Sequence, residues 1–242
     1  RKLFARSRAG VEKQPPRPSA TLGSRVPVSA RVSRGSDQNE DPMAENRIHG
    51  LQPRREFGGK VLITGAAGHV GANLLHRLLS EDRDVRVLLR EGSNNAAIDD
   101  IEAELGRKVE RVHGDLRDER SLNGAVRGCE SIYHVGARVS TLSGKGRDLR
   151  DLYDSNVVGT ANLLRAAGDC GVKRTVVTGS LSAIGTDLDD PKRPSDESMP
   201  FYPFSEHLPY GRTKSLVEQE VLKACVEGVE ALVAKKCAVH GQ

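Results

Sequence analysis

The chain has 242 residues, of which 37% are hydrophobic, 29% charged and 3% aromatic, with no Trp. That length suits one α/β domain with an appendage, no apolar run approaches the roughly 20 residues that span a bilayer, and rings are too scarce for a stacking surface for single-stranded nucleic acid. The formal charge of +4 is uneven: residues 1–42 hold nine basic and four acidic side chains, which leaves 28 basic and 29 acidic ones in residues 43–242. The larger part is near neutral, so charge gives no reason to expect a nucleic-acid partner.

Residues 1–42 are rich in Arg, Ser and Pro and show no apolar period. Such a segment cannot bury enough surface to offset its ordering entropy, so it is expected to be disordered. Its only acid before Asp37 is Glu12, as in an organelle transit peptide. Met43 opens a second plausible start, Met-Ala-Glu-Asn, and translation from Met43 is the preferred expectation.

From residue 57 to 242 the pattern alternates. Strands are expected at Lys60–Thr64, Val85–Leu89, Val109–Val112, Ser131–Val135 and Arg174–Thr178, with a sixth starting at Glu230–Val233. Helical spacing of apolar residues predicts helices at Val70–Ser80, Asn95–Leu105, Ser121–Arg127, Leu149–Ala167 and Tyr210–Glu227. Strands alternating with helices predict a Rossmann-type, doubly wound parallel sheet with helices on both faces. The stretch 186–209 carries Pro191, Pro194, Pro200, Pro203 and Pro209. It reads as a long loop at the sheet's carboxyl edge, where loops of that length are often functional.

Cys129, Cys170, Cys225 and Cys237 form no C-x-x-C pair and match no zinc spacing, and the seven His are scattered. No metal site is expected, and the thiols point to a reducing, cytoplasmic setting.

Two motifs carry chemistry. Thr64-Gly65-Ala66-Ala67-Gly68-His69-Val70-Gly71 lies between the first strand and the first helix. There Gly65 permits a tight turn, Gly68 lets backbone N–H groups approach a phosphate, and Gly71 lets helix pack on strand. The helix N-terminus adds free donors and a favourable dipole. The second motif, Tyr210-Gly211-Arg212-Thr213-Lys214, opens the last helix. A phenol ionises near pH 10, too high for a base near neutrality. Lys214, one turn on, and an oxidised nicotinamide are both expected to lower it.

The spacing G-x-x-G-x-x-G, followed by five further motifs in order, resembles the extended short-chain dehydrogenases/reductases, or NAD(P)-dependent epimerase/dehydratases. Thr64–Gly71 resembles the family's TGxxGxxG, which marks Thr64, Gly65, Ala67, Gly68, His69, Val70 and Gly71 as cofactor-binding. His113-Gly114-Asp115-Leu116 resembles the segment whose Asp contacts the adenine, implicating Asp115 and Leu116. Tyr133-His134-Val135-Gly136-Ala137 resembles the HxAA segment that lies along the cofactor, implicating Val135, Gly136 and Ala137. Asn156-Val157-Val158-Gly159-Thr160 resembles NxxGT and adds Asn156. Val177-Thr178-Gly179-Ser180 resembles the strand ending in the catalytic Ser and adds Thr178. Tyr210–Lys214 matches YxxxK. The resemblance thus implies a catalytic Ser180, Tyr210 and Lys214, with Ser182 as the weaker candidate for the serine.

Arg90, at the end of the second strand in Leu88-Leu89-Arg90-Glu91, suits the 2′-phosphate of NADP. It resembles the dihydroflavonol-reductase-like branch, so NADP is favoured, with NAD as the alternative. The implied partner is a small-molecule substrate, with no nucleic acid and no membrane. Family members often dimerise through two helices, here 149–167 and 210–227. The substrate-binding C-terminal part that follows the sixth strand in the family is expected to be largely missing. Lys236 stands where the family's RPxxxxG segment has Pro. The leading expectation is hydride transfer between a nicotinamide and a secondary alcohol or ketone. An NAD-dependent nucleotide-sugar epimerase or dehydratase, and a non-catalytic nucleotide sensor, are the alternatives.

Overall fold

A computed structural model describes residues 58–139, 147–187, 189–190, 192–196, 198–201 and 208–236. The expected disordered segment, the Met43 start and Cys237 lie outside the described residues. The first strand, β1 (Val61–Thr64), is buried at every position, as expected of a strand covered on both faces. It is followed by α1 (His69–Ser80), β2 (Val85–Leu89), α2 (Ala96–Leu105), β3 (Glu110–His113), α3 (Glu119–Val126) and β4 (Ser131–His134). The chain continues through α4 (Arg147–Tyr153), α5 (Gly159–Asp169), β5 (Arg174–Thr178), α6 (Pro209–Val226) and β6 (Ala231–Ala234). The strands form one parallel sheet in the order β3-β2-β1-β4-β5-β6. The order reverses between β1 and β4, which opens a crevice at the carboxyl ends of those strands.

Alternation along β1 divides the core. Val61 and Ile63 pack with Leu75, Leu78 and Leu79 of α1 and with Ile98 and Ile101 of α2. Leu62 faces the other way, toward Leu122 and Val126 of α3 and Leu163 and Ala166 of α5. Beyond it, Val217 and Val221 of α6 close over Leu164 and Val177. The sheet edge at β3 carries charge instead: Glu110 pairs with Lys60 at 2.5 Å and with Arg86 at 2.8 Å. A charged edge discourages pairing with another chain.

All six strands and their neighbouring helices appear where the sequence places them, with ends shifted by a residue or two. Two shifts have visible causes. Asp118 accepts the Arg120 N–H at 3.1 Å and so starts α3 at Glu119, and Pro209 occupies the first turn of α6. The helix expected at Leu149–Ala167 is not continuous. A π-helical turn, Asp154–Val158, separates α4 from α5. Gly159 follows it, where a Cβ would lie 2.8 Å from the Leu116 side chain. Among the described residues, the proline-rich stretch is tied back by Gly185 N–H donating to the Pro200 carbonyl at 2.6 Å and by a bridge between Ile184 and Phe201. No described helix is long and apolar enough to cross a membrane.

Candidate functional site

The turn after β1 is built around missing side chains. Gly65 adopts φ +75°, and a Cβ there would lie 2.6 Å from the Gly136 backbone. The two turns, after β1 and after β4, therefore touch backbone to backbone. A Cβ on Gly71 would lie 2.0 Å from the Gly65 carbonyl oxygen, so α1 rests directly on the turn. Gly68 uses its own N–H to close the turn on Gly65 O at 3.0 Å. The N-cap residue, Gly68, has no side chain to cap α1, and the first-turn amides, from His69 to Gly71, have no intrahelical acceptors.

A cavity of about 300 Å³ opens at this point. Of the expected residues, Thr64, Gly65, Ala67, Arg90, Asp115, Leu116, Gly136 and Ala137 line it. Gly68, His69, Val70, Gly71, Val135, Asn156, Thr178, Ser180, Tyr210 and Lys214 do not. Ser93, Arg138 and Ser155 line it without having been expected. Arg138 directly follows Ala137, and that adjacency was the available signal. Ser155 reaches the cavity from the π-helical turn, for which the sequence carries no period. The donor set, the glycine cradle and the crevice at the strand-order reversal fit a dinucleotide.

Asp115 and Arg90, two of the lining residues, carry charge. The Arg117 guanidinium grips the Asp115 carboxylate at 3.0 and 2.6 Å and holds it below the usual carboxylate range, with Arg90 adding to the effect. Arg90 itself is exposed and makes no ion pair with Glu91 among the described residues.

Asn156 is 2% exposed, and its side chain is fully engaged by the protein. It accepts the Arg138 N–H at 2.7 Å and donates to Arg138 O at 2.9 Å and Thr213 Oγ1 at 3.1 Å. It clamps the segment after β4 to α6. The sequence motif located this residue but did not show what it touches.

The second group lies at the carboxyl ends of β5 and β6. Lys214 is 4% exposed, donates to the Thr178 carbonyl at 2.8 Å, and holds its ammonium 5.8 Å from the Tyr210 ring centre. Burial, with help from Lys236, lowers Lys214 to about 8. Burial raises the Tyr210 phenol above its ordinary value. That direction is opposite to the expected lowering, because loss of water around the ring disfavours the phenolate. Ser180 starts a short 3₁₀ turn, Leu181–Ala183, and its Oγ lies 2.8 Å from Ser182 Oγ. A Cβ on Gly211 would lie 2.9 Å from Ser182 O, so the serine turn and the start of α6 are in contact. Lys236 O accepts the Leu181 N–H at 3.1 Å, and Lys235 pairs with buried Glu218 at 3.0 Å.

The model of the NAD dependent epimerase/dehydratase family matches residues 61–242. Sterol demethylase protein B of Methylococcus capsulatus is 40% identical over 180 residues, covering 74% of this chain and 51% of that protein. A 3 beta-hydroxysteroid dehydrogenase/Delta 5→4-isomerase of Mycobacterium tuberculosis is 33% identical over 189 residues, covering 75% and 46%. A solved short-chain dehydrogenase/reductase superfamily protein from Agrobacterium tumefaciens with bound NAD superposes with TM-score 0.57 at 31% identity, covering 72% of this chain and 48% of that one. The chain therefore spans about half the length of the curated relatives it matches. The sheet order, the glycine cradle and a match that runs from β1 onward agree, and the chain belongs to the NAD dependent epimerase/dehydratase family.

Proposed function

We propose that the protein moves a hydride between a nicotinamide dinucleotide and a secondary alcohol or its ketone, using Ser180, Tyr210 and Lys214. The supporting observation is Lys214. An ammonium that is 4% exposed, whose hydrogen bond among the described residues goes to a neutral carbonyl, is costly to keep inside a protein. Its place one helical turn from Tyr210, at the carboxyl edge of the sheet, gives that cost a use.

When bound, the nicotinamide ring supplies or accepts the hydride. In the reducing direction Tyr210 gives its phenolic proton to the carbonyl oxygen, and in the oxidising direction its phenolate takes the proton back. The positive charge of Lys214 opposes the burial penalty on that phenolate. Ser180 Oγ turns from Ser182 to donate to the same substrate oxygen. The glycine turn and the first-turn amides of α1 hold the pyrophosphate. Asp115, oriented by Arg117, faces the adenine, and Arg90 takes the 2′-phosphate of NADP.

The relatives named for sterol and steroid chemistry make ring-bound secondary hydroxyls the first substrate class to assay. A second copy of the chain is the proposed partner. Leu149 and Tyr153 on α4, and Leu222 and Val226 on α6, are 40%, 45%, 59% and 91% exposed. The spacing of four within each pair, on helices that touch, makes one apolar ridge suited to a four-helix contact.

The test is nucleotide reduction followed by absorbance with a panel of 3-hydroxysteroids, beside calorimetric titration with NADP and NAD. Tyr210→Phe is expected to bind nucleotide normally and to lose about 10²–10⁴-fold in turnover. Full turnover by Tyr210→Phe would sink the proton-transfer role. NAD retained through purification would favour the epimerase reading instead.

A further inference from the structure

His134, the last residue of β4, lies outside the Ser180, Tyr210 and Lys214 group and does not line the cavity. It is 3% exposed, and both ring nitrogens are engaged. Nδ1 is 2.6 Å from Thr64 Oγ1, and Nε2 is 2.9 Å from Thr160 Oγ1. Proton counting assigns every direction in this network. Thr160 O–H donates to the Asn156 carbonyl at 2.5 Å. A hydroxyl has one proton, so Thr160 Oγ1 must accept from His134 Nε2–H. The unprotonated Nδ1 then accepts the Thr64 O–H, and Thr64 Oγ1 is left to accept the Gly136 N–H at 3.2 Å. One directed chain runs from Gly136 through Thr64, His134 and Thr160 to the Asn156 carbonyl. It joins the end of β1, the turn after β4 and the π-helical turn.

Two of these anchors shape the cavity floor. Thr64 precedes Gly65, whose backbone lies so close to Gly136 that a Cβ would approach it to 2.6 Å. The hydrogen bond between Gly136 and Thr64 spans that contact. Thr64 Oγ1 is oriented for Gly136 only while its proton has an acceptor on the far side, and His134 Nδ1 is that acceptor.

We infer that His134 is a positioning residue, a neutral imidazole protonated on Nε2 whose Nδ1 orients Thr64 and so sets the separation of the two glycine turns that receive the nucleotide. This rests on the nucleotide-binding reading above. Burial supports it by lowering His134 to about 3, with Lys214 on α6 acting in the same direction. The ring therefore stays neutral, and Nδ1 stays an acceptor, throughout the working range.

Two substitutions separate the two nitrogens. His134→Asn places an amide near the Nδ1 position and can accept from Thr64, but it cannot reach Thr160. His134→Gln places its amide near Nε2 and loses Thr64. Calorimetric titration of the full chain with NADP is expected to show His134→Gln weaker than wild type by about threefold to tenfold, the range of one lost hydrogen bond. His134→Asn should stay within about twofold. On the wild-type chain, ¹⁵N-histidine NMR should show a buried ring with the proton on Nε2 and no titration between pH 5.5 and 8. A proton on Nδ1, or a ring that titrates in that window, would overturn the inference whether or not the variants fold. Equal affinity of both variants and wild type would overturn it alone. Wild type failing to bind either nucleotide would remove the nucleotide reading, and this inference with it.

Discussion

Replacing Gly71 by Ala tests whether α1 truly rests on the phosphate turn. The added methyl would lie 2.0 Å from the Gly65 carbonyl oxygen, 2.7 Å from its carbonyl carbon and 2.9 Å from Ala66 Cα. All three are backbone atoms, so no rotamer change relieves the contact. Carbon–oxygen approaches below about 3.3 Å are tight, so the start of α1 must retreat by roughly 1 Å. Leu75, Leu78 and Leu79 hold α1 in the core, and shifting packed side chains by overfilling costs about 1–3 kcal/mol. Ala favours a helix by about 1 kcal/mol over Gly, which offsets part of this. The control is Gly124→Ala in α3, where nothing lies within 4 Å of the new Cβ and only the helical gain of about 0.5–1 kcal/mol remains. The same chemical change should therefore lower the urea midpoint at Gly71 and raise it at Gly124, followed by far-ultraviolet circular dichroism at constant m. A Gly71→Ala midpoint at or above wild type would refute the close approach.

Three other expectations concern charge. Lys214 titrates at about 8 in the folded protein against 10.5 for the ordinary side chain, so the unfolded chain binds its proton more readily. Stability from this group is complete above 10.5, falls as pH drops toward 8 and is lowest below that. Relative to Lys214→Met, wild type should gain about 2 kcal/mol between pH 7 and 9.5 in denaturant titrations, and an unchanged difference would mean the ammonium is not desolvated. Arg90→Ala should weaken NADP about tenfold to a hundredfold, the scale of a charge-assisted hydrogen bond, and leave NAD within about twofold; equal losses for both nucleotides in calorimetry would reject the 2′-phosphate role. Glu218 Oε1 is buried without a hydrogen-bond partner among the described residues, while Oε2 holds Lys235. Lys235→Arg offers a second donor to that carboxylate and should stabilise by about 0.5–1.5 kcal/mol, and a lowered melting temperature would show that the fork does not fit.

The sequence by itself determined the layered α/β fold, because its information is local. Runs such as Val61–Thr64 and Val85–Leu89 bury both faces, and the helices show one apolar stripe each. Gly65, Gly68 and Gly71 mark a turn whose spacing is readable without coordinates. The pairing of Tyr210 with Lys214 follows from helical geometry alone. Contacts between distant segments were settled by tertiary structure. The helical period around residue 154 says nothing of the π-helical turn that brings Ser155 to the cavity. The Asn156 motif gives no sign that the amide holds Arg138 and Thr213, and the direction of the Tyr210 shift depends on how much water burial removes. His134 shows the same limit most plainly. Its partners Thr64 and Thr160 are 70 and 26 residues away, and only the packed sheet decides which of its nitrogens carries the proton.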